Sequence, residues 1–238
     1  MKFNSNFWKW FGDSKVVDAN GDPLVVYHGT ASKDFSKFKR RLGDIGIHFG
    51  TIGQADDRMA YLEERGRNSF EGSRMIPVFL SIRNPLRMSD MGAWNWDAMQ
   101  FDFRKIFGES ERIKNVRNAN SQTAAMRDFI EGRGYDGIVY KNEGETAGVS
   151  ELRKRIEQLR KVAVSVNGGK YSWTVEAQQT PEYIAYSQAQ KSYEEYRKNH
   201  AEDSWIAFRP TQIKSAIGND GTWDSDDADI RSNPRRRR

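Results

Sequence analysis

Two of the chain's three histidines stand in near-twin settings, Val25-Val26-Tyr27-His28-Gly29-Thr30 and Gly46-Ile47-His48-Phe49-Gly50-Thr51, twenty positions apart. A β-branched run that ends in a polar residue followed by glycine brings a side chain and a bare peptide edge to the rim of a sheet, where small ligands are held. A lone histidine at a strand end is a weak signal. The repetition of the pattern is what marks a candidate ligand site.

The elements that must carry these residues follow from local pattern. Val16-Val17, the Asn20-Gly21-Asp22-Pro23 turn and Leu24 to Tyr27 predict a β-hairpin, because Asn-Gly accepts the positive φ of a tight turn, and His28 then closes the second strand. Gly46 to Phe49 is a short strand, and Gln54 to Arg65 has helical composition. Between the two histidines, residues 31–44 are polar, with Phe35 and Phe38 as anchors. Phe7-Trp8-Lys9-Trp10-Phe11 is a short helix clamped on the core. Met75 to Ile82 is a strand whose early proline suits an edge or a strand start, ended by Asn84-Pro85. Residues 91–130 are helical in parts, with Trp94, Trp96, Phe101, Phe103 and Phe107 as apolar mass. Phe129 to Tyr140 reads as helix end, glycine turn and buried strand, and Trp205 to Phe208 as a further strand stopped by Pro210.

From 146 to 201 the character changes. Val149, Leu152, Ile156 and Leu159 recur at three and four, giving a basic amphipathic helix. Val162, Val164 and Val166, the Asn167-Gly168-Gly169 turn, and Tyr171, Trp173 and Val175 predict a second hairpin. Thr180-Pro181 opens another helix, with threonine as N-cap. The expected organisation is one α+β domain of residues 1–145 and 202–222, a helix–hairpin–helix insertion at 146–201, and a flexible charged tail at 223–238. Arginines, lysines and tyrosines of the insertion have the composition that grips single-stranded nucleic acid, and equally that of two helices packing on each other with solvated charges.

A chain of 238 residues with 37% hydrophobic and 12% aromatic residues can bury a real core. It has no cysteine, which removes disulfides and thiolate metal sites. No apolar segment of signal or membrane-spanning type is visible, so a cytoplasmic setting without a membrane partner is expected. The net charge of +5 permits a nucleic-acid partner without requiring one.

Trp10 to Val17, Pro23 to Thr30, Gly46 to Thr51, Gly134 to Tyr140, and Trp205 to Gly218 with its Gln212-Ile213-Lys214-Ser215 resemble, in order and spacing, the ADP-ribosyltransferase superfamily, in particular its phage and prophage branch on the diphtheria-toxin and poly(ADP-ribose) polymerase side. The resemblance implies two small packed β-sheets with flanking helices and an extended NAD⁺ between them, used as co-substrate without a metal. It implies that His28 bonds a ribose hydroxyl, that the Gly29 backbone grips the carboxamide, and that Tyr27 and Thr30 support the loop. His48 stands where the family usually has tyrosine. The ring that stacks on nicotinamide is left open among His48, Phe49 and Tyr61, since a tyrosine expected in the next helix reads Arg58. The family's glutamate before the last core strand is Ser204 here; Glu202, Asp203, and Glu143 or Glu145 could stand in for it, and Glu145 and Glu143 are favoured over Asp203, because an acid next to Ser204 faces the other side of a strand. Arg40, Arg41 or Arg74 would meet the pyrophosphate.

The activity so implied is that of an NAD⁺-dependent mono-ADP-ribosyltransferase toxin or effector. It would modify a macromolecular acceptor, RNA or protein, release nicotinamide, and be restrained by an antitoxin or immunity partner. The alternative is an inactive relative that binds NAD⁺ or nucleic acid.

Overall fold

The computed structural model describes residues 3–32, 34–64, 74–108, 116 and 118–231. Alternating apolar residues build two small sheets. In the first, β1 (Val26–Thr30) and β7 (Ile213–Ser215) flank β3 (Arg74–Leu80), all antiparallel. In the second, β2 (Ile47–Phe49), β6 (Glu202–Ala207), β5 (Gly137–Asn142) and β4 (Pro85–Met88) lie in that order, with only β4 and β5 parallel. The sheets meet where Tyr27 and Gly50 exchange both backbone hydrogen bonds, at 2.8 and 3.0 Å. The edges that carry His28 and His48 are therefore joined.

One core lies between the sheets, where Val26, Val78, Leu80, Ile47, Phe49, Trp205 and Ile213 pack. A second lies on the other face of the β2-β6-β5-β4 sheet, under α3 (Trp96–Phe107) and α4 (Ala119–Gly132), and includes Met99, Phe103, Met126 and Ile206. The aromatic cluster forms α1 (Ser5–Phe11), capped by Asn4 and packed on Phe79 and Trp223. Helix α2 (Ile52–Glu64) backs the junction of β1 and β2.

Several expectations need correction. The first hairpin reduces to a single bridge between Val17 and Pro23, although its turn forms, with Gly21 at φ 83° and the Asp18 carboxylate accepting from the Asn20 and Asp22 amides. The chain then leaves Val16 to pair with β3, and His28 stands in the middle of β1 rather than at its end. Pro77 sits in a central strand, tolerated because β7 reaches only Val78 to Leu80. Pro85 opens β4, a strand the pattern did not show.

The hairpin expected at 162–175 does not form. Helix α5 (Val149–Val166) continues through it, with Ala163 and Val164 buried and Val162 and Val166 turned outward. After the Asn167-Gly168-Gly169 turn come α6 (Val175–Gln178) and α7 (Pro181–His200), the latter capped by Thr180 as expected. The element between β5 and β6 is thus built of three helices joined by turns and, among the described residues, holds no strand.

Residues 223–231 are not a free tail. Trp223 and Ile230 are buried, and the segment ties down the 31–44 loop: Ile230 N–H donates to the Ser36 carbonyl, and the Ser36 hydroxyl to Asp229. The Arg235 to Arg238 run lies outside the described residues. Beneath the strap, fully buried Lys214 donates through Nζ to the Asp227 and Asp229 carbonyls at 2.6 and 3.1 Å. Burial lowers its pKa, opposed by Asp227, Asp224 and Asp229. Lys214→Met keeps the volume and deletes the donor. Orphaning those carbonyls is expected to cost about 2 kcal/mol in denaturant unfolding; an unchanged midpoint would show the strap to be ornamental.

Candidate active site

A cleft of about 1550 Å³ opens at the joined edges of β1 and β2. Its walls are the 31–44 loop, helix α2 and the β5–α5 turn, and Arg153 and Tyr193 of the inserted helices reach it as well. Tyr27, His28, Gly29, Thr30, His48, Phe49, Tyr61 and Glu145 all line it. Glu143 does not. Its amide donates to Asp90 Oδ2 and its carbonyl accepts from the Arg197 guanidinium, which leaves Glu145 as the acid of that turn in the cleft.

His28 Nδ1 lies 2.8 Å from the His48 carbonyl. A carbonyl can only accept, so the bond assigns the proton to Nδ1 and leaves Nε2 of the neutral ring as an acceptor. The ring is wedged between Phe38 and Phe49. Burial lowers its pKa from 6.5; the His48 carbonyl opposes this, and His48, Arg58 and Arg41 add to it. Because the folded value is depressed, the stability that goes with a neutral His28 is complete above pH 6.5 and is lost as pH falls through the folded value. Unfolding free energy measured from about pH 8 to about pH 5 is expected to fall more steeply for the wild type than for His28→Gln. Parallel curves would mean that His28 titrates alike folded and unfolded.

Gly29 is pressed on α2: a Cβ there would stand 3.1 Å from the Ala55 carbonyl and 3.2 Å from Met59 Sδ. The strand edge can approach a ligand only while this position stays bare. His48 Nε2 is 2.9 Å from Asp44 Oδ1, which fixes the second ring from its own loop. Of the three rings considered for stacking, Phe49 is a core residue at 3% exposure, and Arg153 lies over Tyr61 at 5.3 Å. His48 remains 31% exposed by side chain. Trp94, whose sequence context signals only apolar mass, also lines the cleft beside His48 and Tyr140.

Ser204 stands opposite Tyr140 and is 2% exposed. Its hydroxyl donates to Gln54 Oε1 at 3.0 Å and accepts from Asn142 Nδ2 at 3.0 Å. Gln54, also 2% exposed, further accepts from the Thr51 amide and donates to the Glu202 carbonyl. This buried chain of amides and a hydroxyl ties α2, β6 and β5 together. Asn142 Oδ1 accepts from the Glu145 amide at 2.8 Å, and Asn142 Nδ2 lies 3.4 Å from Glu145 Oε2. Arg58 Nη1 lies 3.2 Å from Glu145 Oε1. Gln54 and Asn142 carried no sequence signal, since their partners lie 150 and 62 positions away.

Of the remaining sequence-predicted acids and arginines, Arg41 alone reaches the cleft. Asp203 pairs with Arg87 and Lys141 on the other face of β6, and Glu202 accepts from the Thr51 hydroxyl. Arg74 is bound to Asp34 and lies over Phe35. Arg41 lines the cleft, whereas Arg40 does not. Buried Asp57 is held by Arg153 of α5 at 2.6 Å, which fastens the inserted helices to α2; burial raises its pKa, opposed by Arg153.

Among the described residues no helix is long and apolar enough to cross a membrane, and no group of three or more His, Cys, Asp or Glu side chains is set to hold a metal ion. Neither the curated proteins nor the solved structures compared with the chain gave a match. A protein-family profile described as ADP-ribosyltransferase in polyvalent proteins matches residues 18–223, from the turn before β1 to Trp223 against α1. With most of its length covered, both sheets and the cleft included, the chain belongs to that family of ADP-ribosyltransferase domains.

Proposed function

We propose that the chain is an NAD⁺-dependent mono-ADP-ribosyltransferase that moves ADP-ribose to a macromolecular acceptor and releases nicotinamide, acting as a toxin or effector held in check by a partner. The observation that carries this reading is the His28 Nδ1 bond to the His48 carbonyl. It presents one fixed, neutral imidazole acceptor to a cleft roomy enough for a dinucleotide. His28 Nε2 takes a ribose hydroxyl, the edge of Gly29 takes the carboxamide, His48 packs on the nicotinamide, and Arg41 meets phosphate.

In the reaction the bond between nicotinamide nitrogen and ribose C1′ breaks, and the nitrogen keeps the electron pair. The ribose gathers positive charge, which the Glu145 carboxylate stabilises. The acceptor's nucleophile bonds C1′ and its proton passes to Glu145. An acid on the β5–α5 turn then does the work of the glutamate the family carries at the Ser204 position.

The buried, fully engaged Ser204 hydroxyl favours a second reading, a domain that binds NAD⁺ without chemistry. Calorimetric titration with NAD⁺ separates the two when paired with chromatography of the same mixture. Binding with nicotinamide release supports the transferase. Binding with intact NAD⁺ supports the binding domain, and no binding overturns both.

A further inference from the structure

The cations around the cleft fall into two groups. Lys37, Arg58, Arg74 and Arg153 are each paired with an acid. Lys39, Arg40 and Arg41, consecutive and exposed on the 31–44 loop, have no ion-pair partner among the described residues. The loop brings them to α4, where Gly43, at φ 81°, leaves no room for a Cβ against Asn120 Oδ1. There Arg40 adds to Arg127, whose side chain is only 11% exposed and whose nearest acid is Asp128 at 3.6 Å. Burial lowers the Arg127 pKa and the charge of Arg40 lowers it further, opposed by Asp128 and Glu131. Beside them Leu42 is 87% exposed.

Among the described residues Asp128 is the acid paired with Arg127, while Lys39, Arg40 and Arg41 have none, so the surface carries an excess of positive charge from two separate elements that suits an anionic partner. The positions suit a phosphate chain: flexible cations at the rim, a recessed guanidinium that matches phosphate oxygens, and an apolar side chain against which a base can lie. From this surface we infer that the acceptor is a single-stranded nucleic acid, bound by Lys39 on the cleft rim and by Arg40 and Arg127 outside it. The inference rests on the transferase reading for its purpose, though the binding itself needs no NAD⁺.

The test is fluorescence anisotropy of labelled single-stranded RNA and DNA oligonucleotides against salt, without NAD⁺, for the wild type, Lys39→Glu/Arg40→Glu and the milder Lys39→Gln/Arg40→Gln. A single strand loses about 0.7 in the slope of log K against log salt for each phosphate contact, so the glutamine pair is expected to reduce the slope by about 1.4. The glutamate pair should weaken binding roughly tenfold or more at 0.15 M salt. A loss confined to RNA or to DNA supports the inference and names the polymer. Equal affinity of all three proteins overturns it, as does polyglutamate binding as tightly as the oligonucleotides, which would indicate an acidic protein acceptor. Absence of NAD⁺ binding would defeat the transferase reading while leaving this result intact.

Discussion

Replacing Glu145 by glutamine is expected to lower nicotinamide release about 10²- to 10³-fold, the scale on which a pre-set group facing developing charge acts. The neutral amide keeps the size and the contact with Asn142 Nδ2, so NAD⁺ affinity should change little. The loss then falls on kcat, as it does when an interaction made only in the transition state is removed. Two controls give the result its meaning. Glu143→Gln removes a carboxylate two residues away that does not line the cleft, and Asp203→Asn removes one next to Ser204 but bound to Arg87 on the opposite face. Both should stay within about twofold of the wild type, a change well under 1.4 kcal/mol. An active Glu145→Gln enzyme would remove this acid from the mechanism. The ion pair with Arg58 would then be a structural contact.

His28→Ala is expected to cost about 10²-fold or more in kcat/KM, equivalent to about 2.7 kcal/mol. It removes the Nε2 acceptor and the Nδ1 donor to the His48 carbonyl, the side-chain bond between the two histidine strands. KM should rise because the ribose contact is made before bond cleavage, and kcat should fall because the contact strengthens as positive charge gathers on the ribose. His48→Ala should cost less, about tenfold, since the carbonyl that orients His28 is main chain and survives the substitution. If His48→Ala proved the more damaging change, the assignment of a ribose-holding and a ring-packing histidine would have to be exchanged.

The histidine strands were legible because glycine follows each tag directly or within two residues, and because β-branched and aromatic residues precede it. Thr180-Pro181 gave the start of α7, since a threonine cap and a proline without N–H fit only the first turn of a helix. Val162, Val164 and Val166 misled because valines at every second position also satisfy one buried and two exposed sites at the end of a helix whose partner, α7, lies further along the chain. The acidic 224–229 stretch looked solvated. Yet its backbone carbonyls, more than its carboxylates, meet Lys214, and alternation within β7 does not reveal a lysine with 0% exposure. The Gln54–Ser204–Asn142 chain was illegible for a similar reason: each member is an uncharged polar residue of a type that usually faces solvent, and only the meeting of β6 with β5 and α2 makes them a buried network.

Nicotinamide release from NAD⁺, followed by chromatography with total RNA, DNA and cell protein supplied separately to wild type, His28→Ala and Glu145→Gln, tests the central claim most directly. The expected result is release by the wild type that one fraction stimulates and that both substitutions abolish or nearly so. Release unaffected by His28→Ala, or no release with any fraction alongside measurable NAD⁺ binding, would contradict it and leave a cleft that holds NAD⁺ without breaking it.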